Sequence, residues 1–179
     1  MAVNDSRSGS PDPVHLDQRH AISMSCVGRG LNSSTRFSTS GASADLPSAR
    51  AALLNWWQQR LGTVEPPVLD NGSGLSRSER ISAQALARLL QAAHASTLMP
   101  ELMASLPIYG VDGTLRRVPQ AVGGGAHLKT GSLADVTALG GYVHAASGKR
   151  YVLVVIVNHA NARAARTALQ TLVQAAIAL

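Results

Sequence analysis

Cysteine is nearly absent from this chain: Cys26 stands alone among 179 residues, so no internal disulfide can form. No Cys/His spacing of the zinc-binding kind accompanies it either. Lysine is almost as scarce, with Lys129 and Lys149 as the only two, while arginine fills the other basic positions. Acids number only 10 and aromatics 3%, which leaves a formal charge of +6 but few stacking platforms for a nucleic acid. The basic balance therefore reflects missing acids more than a dense cationic patch. No apolar run reaches the length of a membrane span, and the opening "MAVNDSRSGSPDP" lacks the charged-then-apolar order of a secretory signal, so the chain as written predicts a cytoplasmic location.

What is present divides into two unequal parts. From Met1 to about Ala44 the chain is rich in Ser, Gly, Asn, Asp and Arg, and its apolar residues follow neither a helical nor a strand period. Such a segment buries too little surface to offset its ordering entropy, so residues 1–44 are expected to be disordered. Residues 45–179 are alanine- and leucine-rich and periodic, and with 45% hydrophobic content overall they suffice for one domain.

Within that domain, "LPSARAALLNWWQQRLG" predicts a helix capped at Ser48 and ended by Gly62, with one of Trp56 and Trp57 facing the core and the other covering an edge. Ser82 predicts the N-cap of a second helix whose stripe is Leu86, Leu89, Leu90 and Ala93, with Ile81 and Leu86 as a hydrophobic staple. "PELMASL" predicts a short helix closed by Pro107, and "YGVDGTLRR" an irregular loop. Strands are expected over His127–Gly131, Ala138–His144 and Arg150–Asn158, the last two joined through "AASGK" as a hairpin. "YVLVVIV" reads as a strand covered on both faces. Asn161 is expected to cap a last helix with Leu169, Leu172, Val173 and Ala176 inward. The fold class is thus α+β, an antiparallel sheet with packed helices.

The chemistry concentrates in "AHLKTGSLADV", where one of the two lysines begins a Lys-Thr-Gly triplet. Strand alternation sends Lys129 and Gly131 to one face and Thr130 to the other. The lysine supplies a cation, the threonine a hydroxyl for a carboxylate, the glycine room for an extended ligand, and the Ser132 N–H a candidate oxyanion donor. Lys-Thr-Gly is the third element of penicillin-binding proteins and serine β-lactamases. Together with "LDNGSGLSRSERIS" and "SLPIYGVDGTLRR", the segment "HLKTGSLADVTALGGYVHAASGKRYVLVVIVNH" closely resembles the C-terminal part of serine-type D-alanyl-D-alanine carboxypeptidases that also act as endopeptidases, the low-molecular-mass penicillin-binding proteins of the DacB kind.

The resemblance, over Asp45–Leu179, implies the C-terminal portion of a β-lactamase/transpeptidase-like fold, incomplete on its own. It implies that Lys129, Thr130 and Gly131 belong to the catalytic site and that Thr130 and Ser132 serve substrate and oxyanion binding. The implied ligands are D-Ala-D-Ala peptidoglycan stem peptides and, for the parent family, β-lactams; no cofactor or metal is implied, and the family works outside the cytoplasmic membrane. In "DNGSGLS", Asp70, Gly72, Ser73 and Gly74 are expected to build a turn. Ser73 sits in neither Ser-x-x-Lys nor a Gly-x-Ser-x-Gly elbow, so it is not assigned as nucleophile.

Two family elements are missing. Ala126 and Ala146 precede the two lysines at the third position, so Ser-x-x-Lys is absent, and no asparagine has a serine two positions before it. The expectation is a C-terminal remnant, truncated or frame-shifted upstream and inactive by itself, whose "YVLVVIV" strand has an unpaired edge that favours homo-association. The competing reading is a non-enzymatic basic domain that binds nucleic acid through Arg163, Arg166, Arg116 and Arg117. His94, His127, His144 and His159 are expected as surface or partly buried fillers.

Overall fold

Capping oxygens and apolar stripes set where the helices begin and which way they face. In the computed structural model, which describes residues 45–72, 76–116, 118 and 124–179, helix α1 spans Leu46–Leu61. Its N-cap is Asp45, not Ser48: the Asp45 carboxylate accepts from the Ser48 N–H at 2.8 Å, and Pro47 occupies the first turn, where its missing N–H costs nothing. Gly62 ends the helix at φ 60°, as expected. Trp57 is buried and its indole donates to the Val64 carbonyl at 2.9 Å, whereas Trp56 is exposed.

Helix α2, Ala83–His94, starts where expected, with Ser82 Oγ accepting from the Ala85 N–H. Its Leu86 and Leu90 are buried, each contributing roughly 1.5–3 kcal/mol relative to exposure. Helix α3, Met99–Ser105, follows with Pro100 in its first turn. After it the expected irregular loop proves partly ordered: Gly113–Leu115 forms a 3₁₀ turn, and Ile108 bridges His127 of the sheet.

Among the described residues the sheet has three antiparallel strands in the order β1 (Ala126–Ser132), β2 (Val136–His144), β3 (Arg150–Asn158). The "AASGK" hairpin closes through Ala145 N–H to Lys149 O at 2.9 Å, with Gly148 at φ 77°. Central β2 is buried along almost its whole length. β3 departs from expectation: its apolar run is only half-buried, because it forms a border of the sheet with no strand beyond it among the described residues.

Among the described residues helices pack on both faces of the sheet. On one side Leu86, Leu90 and Leu106 pack with Tyr142, whose hydroxyl donates to the Leu90 carbonyl at 2.7 Å. On the other, Leu128, Leu139 and Val143 pack against Val173 and Ile177 of helix α4, Arg166–Ala178. Two expectations about α4 are corrected. Asn161 precedes a 3₁₀ turn, Ala162–Ala165, and makes no side-chain cap, so α4 starts later, after Ala165. Its inward stripe is Leu169, Val173 and Ile177 at four-residue steps, which turns Leu172 outward, 43% exposed. The expectation for residues 1–44 lies outside the described residues.

Candidate active site

Lys129, Thr130 and Gly131 stand opposite Gly140, Leu139 and Ala138 in the β1–β2 register. Lys129 shares its face with the α2 side of the sheet, since its partner Gly140 lies under Leu86, with ordinary van der Waals spacing of 3.5 Å for an added Cβ. Thr130 and Ser132 project to the α4 side and line a cavity of about 450 Å³. The triplet is therefore split across the pleat, as alternation requires.

The outer border of β1 is covered only at its beginning. Leu128 donates its N–H to the Pro107 carbonyl at 2.9 Å, and Tyr109 donates to the Ala126 carbonyl at 2.8 Å. N–H and C=O groups alternate in direction along a strand, so Thr130 and Ser132 present theirs outward as well. Past Leu128 that border has no strand partner among the described residues. The Ser132 amide thus points away from the sheet, the direction an oxyanion donor needs. A local contact is made there: Lys129 Nζ donates to the Thr130 carbonyl at 2.7 Å. No carboxylate pairs with Lys129 among the described residues.

Thr130 Oγ1 lies 2.6 Å from Thr114 Oγ1. Thr114, in the 3₁₀ turn, was invisible to pattern reading because "DGTLRR" carries no period. Its placement follows from the turn at Gly113, φ 59°, packed against Pro107. Arg116 and Arg166 line the same cavity.

The other motifs fall into structural roles. Asp70 accepts from Ser76 Oγ at 2.6 Å and from the Arg50 guanidinium at 3.2 Å, and Glu79 Oε1 accepts from the Gly72 N–H at 3.2 Å. Hydrogen bonds from Ser76 and Ser78, with Arg50 adding a smaller attraction, hold the Asp70 carboxyl below its ordinary range. Asp70 and Gly72, at φ 67°, thus serve the expected turn; Ser73 and Gly74 lie outside the described residues. His127 and His144 meet edge to face at 5.7 Å, and His94 packs on Tyr142 at 5.7 Å. These three are half-buried and His159 is exposed, so the expected filler role fits. Among the described residues no three His, Cys, Asp or Glu side chains are grouped to hold a metal.

An antiparallel sheet with helices packed on both faces and a Lys-Thr-Gly strand at its border defines the class: an α+β domain. The sequence pattern of the D-Ala-D-Ala carboxypeptidase 3 (S13) family matches residues 42–179, and the chain belongs to that family. It is 36% identical over 110 residues to a D-alanyl-D-alanine carboxypeptidase of Actinomadura sp. (strain R39), a match covering 58% of this chain and 20% of that protein. Penicillin binding protein 4 (dacB) from Haemophilus influenzae, in complex with a β-lactam, superposes with a TM-score of 0.61 at 25% identity, over 70% of this chain and 30% of that one. A predatory endopeptidase from Bdellovibrio bacteriovorus, in complex with an immunity protein, shares the fold at 15% identity and a TM-score of 0.55, over 70% of this chain and 36% of that one. The chain therefore spans about a fifth of the curated relative's length. Nothing in the family supports the nucleic-acid reading of the arginines, and Arg117 lies outside the described residues.

No helix among the described residues is long and apolar enough to cross a membrane.

Proposed function

We propose that residues 129–132 form the strand-side wall of a cleft for acyl transfer from D-alanyl-D-alanine peptides, the carboxypeptidase/endopeptidase reaction of peptidoglycan. The observation that carries this reading is the open border of β1 beyond Leu128, bearing the Lys129 ammonium, the Thr130 hydroxyl and the outward Ser132 amide together. An extended peptide adds to such a border through main-chain hydrogen bonds, while Lys129 and Ser132 N–H act on the charge that develops at the scissile carbonyl. Thr130 orients the ligand's carboxylate, and Gly131 leaves the backbone accessible.

The serine that attacks the carbonyl must come from outside these 179 residues, since Ser-x-x-Lys does not occur in them. The open outer side of β3 offers a place where further strands, or a second copy of the chain, would pair. For the family the proposed site of action is where peptidoglycan lies, outside the cytoplasmic membrane, whereas the chain as written is read as cytoplasmic.

Two measurements test this. Titration with an N-acylated D-Ala-D-Ala peptide should shift the amide signals of Thr130 and Ser132, and unchanged signals at saturating peptide would refute the assignment. Incubation with penicillin should leave the intact mass unaltered; a stoichiometric acyl adduct would show that a nucleophile exists here after all.

A further inference from the structure

The outer border of β3 differs from that of β1 in being unguarded. Its nine residues pair with β2 without a bulge, and from Tyr151 to Val157 every side chain is apolar. Charged side chains, proline and bulges are the means by which a sheet border is kept from pairing, and none interrupts this stretch. Ala145 donates to the Lys149 carbonyl at 2.9 Å, which sets the hydrogen-bond phase of the hairpin. Tyr151, Leu153, Val155 and Val157 therefore turn their main-chain groups toward β2, and Arg150, Val152, Val154, Ile156 and Asn158 turn theirs outward. The outward groups of those residues find no hydrogen-bond partner among the described residues.

Such a border is its own complement. Antiparallel pairing about a two-fold axis at Val154 sets Arg150 opposite Asn158 of the second copy, Val152 opposite Ile156 and Val154 opposite itself, with about ten main-chain hydrogen bonds. A shift to the next register leaves one of the outward residues unpaired. Both faces match too: Val152, Val154 and Ile156 lie on the α2 side and Leu153 and Val155 on the α4 side, so apolar meets apolar. The ends match in charge. Lys149 and Arg150 are exposed at one end, and exposed Asp135 lies at the other, its carbonyl accepting from the His159 N–H at 2.9 Å. Antiparallel pairing brings these unlike ends together, whereas parallel pairing would stack the cations on their copies.

We infer that two copies of this chain join through β3 in this register, making one continuous sheet with a Lys-Thr-Gly border at each end. Five strand spacings of about 4.8 Å then separate the two borders, about 24 Å in all. The assembly presents two peptide sites at once, and a surface that displays many stem peptides is held with avidity. The pairing stands on β3 alone; only the ligand of the two borders rests on the proposed function, which leaves the occupant of β3 open.

Sedimentation equilibrium of the 179-residue chain should give twice its 18.6 kDa, and Ile156→Pro should weaken the association roughly tenfold. Proline there removes an outward N–H and leaves the ladder to β2 intact, with circular dichroism as the check on the fold. Cysteine cross-linking in a Cys26→Ser background reads the register independently of that variant. Val154→Cys should close a disulfide across the two-fold under mild oxidation, because opposed Cα atoms of a hydrogen-bonded pair lie about 5.5 Å apart. Val152→Cys and Ile156→Cys should not, since each is displaced from its own copy by about 13 Å along the strand. A monomer at every concentration reached, a dimer untouched by a folded Ile156→Pro variant, or cross-linking at Val152 or Ile156 equal to that at Val154 would each overturn the inference. So would a monomer whose Val154 amide resists hydrogen exchange, since another segment of the same chain would then hold the border. An N-acylated D-Ala-D-Ala peptide separates the two readings. If the chain is monomeric and its Thr130 and Ser132 amides shift with peptide, the pairing fails while the proposed function survives. If the Val154→Cys dimer forms and those amides ignore the peptide, the pairing stands and the proposed function fails.

Discussion

Adjacent glycines in β2 give the most discriminating test of this architecture. Gly141 has φ +152°, and an added Cβ would lie 2.1 Å from the His127 carbonyl oxygen and 3.0 Å from Leu128 Cα, both backbone atoms of β1. Since real Cβ atoms stay beyond 3.0 Å, Gly141→Ala must move β1 by about 1 Å (3.0 − 2.1) or break the pairing there. Strain at that backbone conformation costs about 1–3 kcal/mol, and losing one or two ladder hydrogen bonds adds about 1 kcal/mol each. The expected loss is therefore roughly 2–5 kcal/mol, a large share of the 5–15 kcal/mol typical of a domain. Its neighbour Gly140 would place a Cβ 3.5 Å from the flexible tip of Leu86, at an ordinary φ, so Gly140→Ala should change stability by less than about 1 kcal/mol. Urea unfolding followed by far-UV circular dichroism reads both, with the Gly141 variant's midpoint lowered by about 1–3 M. Equal stability of the two variants would refute the close approach of β1 and β2 on which the site's register depends.

Two further predictions concern the α2 side of the sheet. Tyr142→Phe removes the buried hydrogen bond to the Leu90 carbonyl and should cost about 1 kcal/mol in urea unfolding, with no change if that hydroxyl is in fact solvated. His144 titrates below its ordinary value of 6.5 because burial, then the nearby Arg150, His127 and His94, disfavour the charged ring. The unfolded chain then binds the proton more readily, so this contribution is present above about pH 6.5 and is lost as pH falls toward the lowered folded value. His144→Gln should flatten the decline of melting temperature on acidification, and an unaltered slope would exclude the histidine contact as its source.

What could be read from the chain itself followed from local rules. The Ser82 cap, the β2–β3 hairpin, the bounds of β3 and the placement of the triplet on a strand all depend on neighbours a few positions apart. Features set by distant partners escaped. Pro107–Tyr109 covers the start of β1 through two hydrogen bonds that no periodicity announces, and Thr114 reaches Thr130 only because of that docking. The apolar run of β3 overstates its burial because hydrophobicity records what a strand is suited to cover, whereas exposure depends on which strands are beside it. In α4, Leu172 and Ile177 are both apolar, and only the angle at which the helix meets the sheet decides between them.

The division of the triplet between the two sides of β1 carries a stereochemical consequence. Ammonium above the pleat, hydroxyl below it and an amide in its plane are three attachment points that do not lie on one line. A tetrahedral centre whose substituents reach all three must release at least one when inverted. If the proposed cleft holds its ligand at all three points, strand geometry itself would impose handedness, before any neighbouring helix adds its own constraint.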